Sequence, residues 1–366
     1  MNRTPAFDTV TLPQSNWSVP DHMVLHCKNT SDITVLLATS YSLETVLGIL
    51  GNTCLIGIVA RQKATATNVL LTNLIVSELA MCIFCLPFTV TTVLLNYWVF
   101  GEAMCKVTAF IQCASVTVSV LSLVLIAMER HQLILNPTGW RPGLSEAYQG
   151  VAAMWTFASL LSLPFVTNST LRTGIFKWYS GVVDSYADKS ICTCPWSSEK
   201  DRLTYTTALL LLQYCAPLAV ILACYLRIYL RLRKREGLFE KSKPGCQTVP
   251  LKRVNLLLAS MVAAFAACWL PLHVFNAIED WNYKLIPSCL HDVIFSLCHL
   301  TGMASVCVNP ILYGFLNKNF KKEVKDLIVS CHHRSSEQEY EHLPLPTMQT
   351  ETSKDSLRLS GQQAPV

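Results

Sequence analysis

The sequence predicts an all-α membrane protein, a seven-transmembrane helix bundle followed by an amphipathic eighth helix. Of its 366 residues, 51% are hydrophobic and only 14% charged, against roughly 25% charged residues in a soluble domain. The apolar residues fall into long runs, each near the ~20 residues that cross a bilayer core as helix. In lipid the backbone must satisfy its own hydrogen bonds within a helix or a closed barrel, and these runs lack a barrel's alternation.

The seven runs are Thr34 to Ala60, Val69 to Leu95, Met104 to Leu133, Ala147 to Val166, Thr204 to Leu230, Val254 to Ile278 and Leu290 to Phe315. They divide the chain into an N-terminal segment (1–33), the bundle (34–315), a juxtamembrane helix (316–331) and a tail (332–366). No internal repeat is visible, which removes the main signal of a transporter built from duplicated halves.

Orientation follows from Lys and Arg. Twenty of the 29 lie on the side of loops one, three and five and the tail, nine of them between Arg227 and Arg253. That side is expected to be cytoplasmic, placing the N-terminus outside the plasma membrane. No removable signal peptide is apparent, so the first span is expected to do the targeting. Four Asn-x-Ser/Thr sequons, at Asn2, Asn16, Asn29 and Asn168, fall on the outer side, where glycosylation occurs.

Sixteen cysteines must be sorted by compartment. Most lie within spans as small packing residues. Cys105, at the outer end of the third span, and Cys192, in the second outer loop, could close a bridge over a pocket mouth, with Cys194 as a rival partner. Cys27 and Cys289 form a second plausible pair.

Polar residues at membrane depth point to function. Asn52 follows Gly51 in the first span, Glu78 lies midway along the second, Ser119 in the third, and Asn309 precedes Pro310 in the seventh. Helix-to-helix hydrogen bonding explains Asn52 by itself. Glu78, read as the only acid deep in the spans, requires a proton, a partner or a cation. Glu129-Arg130-His131 closes the inner end of the third span as a charge pair. Pro217 with Tyr225 in the fifth span, Trp269 with Pro271 in the sixth, and Pro310 with Tyr313 in the seventh put loosened helix beside polar or aromatic groups.

In order and spacing, Gly51-Asn52, Cys105, Glu129-Arg130-His131, Trp155, Pro217, Trp269-Leu270-Pro271 and Asn309-Pro310 through Tyr313 resemble the rhodopsin-like (class A) G-protein-coupled receptors. Further stretches narrow the resemblance to the neuropeptide Y receptors. These are Phe110 to Cys113, Glu129 to Gln132, Asn136 to Trp140, Leu270 to Asn276 and Asn317 to Lys322. Glu279-Asp280-Trp281 and Glu341 to Leu345 point to that family's pancreatic-polypeptide-preferring (type 4) branch.

The third span offers Gln112 where amine receptors carry an acid, so a biogenic amine is not expected. The seventh span has no Lys for a retinal Schiff base. The outer side carries nine bases against twelve acids, counting Glu44, a net of −3, and the inner side carries +8. A cationic ligand would be attracted from outside. The resemblance implies C-terminally amidated peptides ending in Arg-x-Arg-Tyr-amide. Asp280 is implied for a ligand arginine, and Gln112, Asn276 and His299 for the amide-terminated tyrosine, with Gln213 on the fifth span as a further candidate. From residues alone, Asp280 reads as a solvated loop-edge carboxylate, and His299 reads equally as a satisfied core histidine or a ligand contact. The family's sodium ion would sit with Glu78, in place of the usual Asp, and with Asn52, Ser119 and Asn309. Thr92 stands where a pocket Tyr is expected.

Loop five could contact anionic lipid. Phe320, Val324, Leu327 and Ile328 recur at helical spacing among lysines, which predicts an amphipathic helix on the inner leaflet with Cys331 as a palmitoylation site. The Ser/Thr-rich tail is expected to be disordered and phosphorylated, with arrestin as a partner. The resemblance implies G proteins of the inhibitory class, and a receptor for RFamide-type peptides is the alternative reading. No catalytic constellation, cofactor or nucleic-acid partner is expected.

Overall fold

The structure, a computed structural model, describes residues 30–136, 138–173, 189–239, 248–282 and 288–316. Seven helical stretches in it are long and apolar enough to cross a membrane: Asp32–Val59, Ala66–Leu95, Gly101–Leu135, Leu144–Asn168, Glu199–Lys234, Asn255–Trp281 and His291–Leu312. Each of the seven apolar runs therefore becomes one span. The helices run past several of the predicted bounds, because hydropathy marks only the part that must sit in hydrocarbon. The predicted juxtamembrane helix, the tail, Asn2, Asn16, Asn29, Cys27 and Cys331 lie outside the described residues, as does the side chain of Cys289.

In chain order the helices are α1 (Thr30–Val59), α2 (Ala66–Phe84), α3 (Leu86–Leu95), α4 (Gly101–Leu135), α5 (Leu144–Asn168), α6 (Glu199–Leu210), α7 (Ala216–Phe239), α8 (Thr248–Asn282), α9 (Ser288–Met303) and α10 (Ser305–Leu316). Spans two, five and seven each use two helices. The second breaks at Cys85, whose N–H still returns to the Met81 carbonyl, ahead of Pro87 in the first turn of α3. The fifth passes through a π-helical turn, Leu211–Cys215, just before Pro217. Pro217 has no N–H for the Gln213 carbonyl four residues back, and the wider turn absorbs that missing bond. The seventh tightens at Ala304, whose carbonyl accepts from Cys307 N–H at 3.0 Å.

Local chemistry sets several helix starts. Thr65 Oγ1 accepts from Asn68 N–H at 3.1 Å, Ser198 Oγ from Lys200 N–H at 3.1 Å, and Glu146 Oε2 from Gly143 N–H at 3.0 Å. Each satisfies a donor that a helix N-terminus would otherwise leave free.

The bundle is packed inside and apolar outside, as lipid requires. Leu36, Leu50, Leu160, Leu222 and Leu226 are exposed, whereas Asn52, Ser77, Thr117, Ser122 and Ser162 are fully enclosed. Enclosed polar groups tie spans together. Trp155 Nε1–H donates to Asn73 Oδ1 at 2.8 Å and Asn73 Nδ2–H to Ser122 Oγ at 2.9 Å, which joins spans four, two and three. Gly48 allows the first span to approach the second and seventh. A Cβ there would lie 2.5 Å from Cys82 Sγ and 2.9 Å from Val306 Cγ2.

At one end, an antiparallel hairpin of β1 (Thr170–Thr173) and β2 (Ser190–Thr193) pairs Leu171 with Cys192. Cys192 is disulfide-bonded to Cys105, and Cys194 is a free thiol. Burial pushes that thiol's pKa up. Trp98 N–H bonds the Ser190 carbonyl at 2.8 Å, a second attachment for the same strand.

Candidate functional site

Beside the hairpin end, a cavity of about 230 Å³ opens between the third, fifth and sixth spans. Gln112, Gln213, Asn276 and Asp280 all line it, and Trp269 forms part of its wall. Four of the five residues implied for ligand contact thus share one cavity.

His299 stands outside that lining, with both ring nitrogens occupied. Tyr41 Oη donates to the Ser296 carbonyl at 2.9 Å and has no second proton, so it accepts from His299 Nδ1–H at 2.9 Å. Nε2 is then the acceptor for Gln112 Nε2–H at 3.0 Å. The imidazole is neutral in this chain, which runs from the third span through the seventh to the first. Its role is to hold the Gln112 amide.

Gln213 is turned inward by the π-helical turn. Its Nε2 donates to Thr117 Oγ1 at 2.7 Å and lies 3.3 Å from the Cys113 carbonyl. Asn276 faces the cavity with no side-chain hydrogen bond among the described residues. At the deep end Trp269, 4% exposed, donates through Nε1 to Ser305 Oγ at 3.2 Å. His273, whose ring centroid is 4.7 Å from that of Tyr214, completes this wall.

Asp280 corrects the expectation of a solvated loop-edge acid. Its side chain is 8% exposed, and Oδ1 lies 3.3 Å from Nε of Arg202, which is 37% exposed. Arg202 belongs to α6, in the stretch before the fifth apolar run. Its pairing with a residue 78 positions away had no signal in the sequence. Beside it, Glu279 Oε1 lies 3.4 Å from His291 Nε2.

Midway down the bundle, Asn309 Nδ2–H donates to Glu78 Oε1. Asn52 Nδ2–H donates to the Val306 carbonyl at 2.9 Å, the carbonyl that Pro310 leaves unpaired. Ser119 shares its hydroxyl with Ser77 at 2.8 Å. Glu78 Oε2 and Asn52 Oδ1 are buried acceptors with no partner among the described residues. These two orphaned oxygens, one of the buried carboxyl and one of an amide, fit a small cation, whereas Ser119 is already committed.

Glu78 is not the only acid at depth. Glu44, counted on the outer side by sequence, lies in the middle of α1 with Oε2 buried and unpartnered among the described residues. Glu44, Gly48 and Asn52 repeat every fourth residue and so share one helix face. That spacing was the signal available.

At the opposite end, Glu129 and Arg130 do not pair directly; both bond Thr67. Its hydroxyl lies 2.7 Å from each Glu129 oxygen and accepts from Arg130 Nη2–H at 2.8 Å. Tyr225 lies within electrostatic reach of Arg130. The backbones of Asn309, Pro310 and Tyr313 lie in α10, and Pro271 lies inside α8.

Residues 51–313 match the model of the 7 transmembrane receptor (rhodopsin family). The human neuropeptide Y receptor type 4-2 is 52% identical over 343 residues, 93% of this chain and 92% of that protein. This chain belongs to the neuropeptide Y receptors. The mouse type 4 receptor is 51% identical over 92% of this chain and 90% of its own length, and the Xenopus laevis type 1 receptor 42% over 98% of each. The receptor is therefore a multi-pass protein of the plasma membrane and not an enzyme. As a neuropeptide Y receptor it carries the rhodopsin-family elements on the spans where its sequence put them.

Proposed function

We propose that the chain is a receptor for C-terminally amidated peptides of the neuropeptide Y, peptide YY and pancreatic polypeptide family, signalling through inhibitory G proteins to lower cyclic AMP. One observation carries this reading: a single cavity presents neutral amide side chains, Gln112, Gln213 and Asn276, and an enclosed carboxylate at its rim, Asp280. Neutral amides can bond an amidated terminus without a charge in a dry site, and the carboxylate suits a guanidinium. The type 4 names of the similar receptors favour the same ligands.

The mechanism is a population shift. Peptide binds an arrangement in which the sixth span, loosened at Pro271, swings outward and opens a cytoplasmic cleft around Arg130. The bonds of Arg130 and Glu129 to Thr67 belong to the closed arrangement and must break for that opening. A sodium ion held by Glu78 and Asn52 would favour the closed arrangement by supplying positive charge to acceptors that have no donor. Replacing sodium with choline should then raise agonist affinity in the parent receptor and leave Glu78→Gln unchanged; an equal response in both removes the ion from this site.

The N-terminus faces outside, with glycans at Asn2, Asn16, Asn29 and Asn168. The juxtamembrane helix rests on the inner leaflet with palmitate at Cys331, and arrestin binds the phosphorylated tail. Epitope tags on the two termini test the topology, which fails if both are accessible on intact cells. For function, the chain is expressed with a cyclic AMP reporter and dosed with the three peptides, a free-acid control and an RFamide peptide. Silence to all three amidated family peptides refutes the ligand assignment, and a response confined to the RFamide peptide replaces it.

A further inference from the structure

At the Arg130 end a second cavity, about 610 Å³, lies between the second to fifth spans. That volume is in the range of small-molecule sites. Its wall includes Met128, Val220 and Ala223, each exposed on a membrane-spanning helix, so it opens sideways into hydrocarbon rather than along the bundle axis. Its polar end carries His131, Arg227 and Trp140. Trp140 is 63% exposed, as suits a ring at the level of lipid headgroups.

The donors at that end are not all met. Of the two acids on the wall, Glu129 shares the Thr67 hydroxyl with Arg130, and Glu146 accepts from the Gly143 N–H. His131 Nε2 is buried with no hydrogen-bond partner among the described residues, and Arg227 is exposed on the same wall. A buried polar nitrogen without a partner is costly, and an aliphatic chain from the bilayer brings no group that could satisfy it. An anionic headgroup does, accepting from His131 Nε2–H and from the Arg227 guanidinium.

We propose that this cavity is a binding site for one anionic phospholipid of the adjoining leaflet, its acyl chain along Val220 and Ala223 and its phosphate against His131 and Arg227. Basic pockets between spans take acidic headgroups in this way. The site is separate from the peptide cavity and does not depend on the ligand assignment.

The test uses the purified full-length receptor without peptide, titrated with 16-carbon lysophosphatidylglycerol or lysophosphatidylcholine while its thermal midpoint is followed. Both lipids carry the phosphate, but the choline cation of the second offsets it beside the Arg227 guanidinium, so the anionic lipid should half-saturate at about a tenfold lower concentration. Ala223→Phe, which fills the lipid-facing mouth, should abolish saturation by both lipids. Arg227→Gln should retain saturation and lose the preference. Val220→Trp blocks the same mouth and replaces Ala223→Phe if that variant does not fold. Equal saturation by both lipids in the parent receptor overturns the proposal. So does a headgroup preference that survives both Ala223→Phe and Val220→Trp, since basic residues elsewhere would then be responsible.

Discussion

Removing the carboxylate of Asp280 and removing its internal partner should move peptide affinity in opposite directions. Asp280 is enclosed, 8% exposed, so a ligand guanidinium bonded to it would be largely desolvated. Truncating one partner of such a pair costs about 2–5 kcal/mol, so Asp280→Ala should weaken binding by about 30-fold to several thousandfold. Arg202 holds the same acid less tightly. It makes one contact, through Nε at 3.3 Å, and is 37% exposed, so solvent screens the pair. Pairs of that kind are worth about 0.2–1 kcal/mol, and the incoming arginine must displace or share that contact. Arg202→Gln should therefore tighten binding by about 1.4- to fivefold. The assay is competition binding on cell membranes, with surface density measured by an N-terminal tag and a citrulline-substituted peptide as control. The citrulline peptide should respond to neither substitution. Unchanged affinity in Asp280→Ala at normal surface density refutes the arginine contact. Weaker binding in Arg202→Gln refutes competition and makes Arg202 a support for the acid.

Three further outcomes follow from the packing. Gly48→Ala should destabilise the receptor by about 1–3 kcal/mol, because its Cβ would meet Cys82 Sγ and Val306 Cγ2 at 2.5 and 2.9 Å; adding Cys82→Ala should restore part of the lost thermal stability, and an unchanged midpoint in the single variant contradicts the close approach. Tyr41→Phe leaves His299 Nδ1–H buried without an acceptor, which should cost about 1–3 kcal/mol in stability and lower peptide affinity by unmooring Gln112; a thermal-shift and binding pair of measurements on the variant decides this. Cys105→Ser frees β2 from the third span and should lower the thermal midpoint by the equivalent of about 2–5 kcal/mol, with loss of peptide binding; retained binding would mean that the hairpin does not shape the cavity mouth.

The number, order and approximate limits of the spans were legible because hydrocarbon thickness imposes a minimum apolar length. Where helix continues into water or headgroups, hydropathy has nothing to report. The fifth span was read as Thr204 to Leu230, and its helices extend from Glu199 to Phe239. Breaks within a span were legible only through proline, and then without their form: Pro217 signals a defect, but the π-helical turn that rotates Gln213 inward depends on how the helix closes around it. In the site, residue types were readable and partners were not. Gln112 and His299 were both expected beside the ligand, yet the seventh span places His299 behind Gln112, with Tyr41 taking its far nitrogen. Glu44 was misplaced because charges were counted by side, although the four-residue step to Gly48 and Asn52 marks the inward face of α1.

The prolines gain meaning from what meets the carbonyls they disturb. Pro310 cannot bond the Val306 carbonyl, and Asn52 of the first span does so instead at 2.9 Å. In the fourth span Pro164 frees the Leu160 carbonyl, and Tyr205 of α6 bonds the next one, Leu161, at 2.6 Å. In the sixth span Pro271 frees the Ala267 carbonyl, and Tyr214 of the π-helical turn bonds its neighbour Ala266 at 3.0 Å. Each kink is thus held at or beside its weakest point by a side chain from a different span. A helix bent by proline alone would flex independently. One whose bend is held from a neighbour resists change until that neighbour shifts. Tyr214 sits one residue from Gln213 in the cavity wall, so a ligand that displaces the π-helical turn also alters the restraint on Pro271, without any direct contact with the proline.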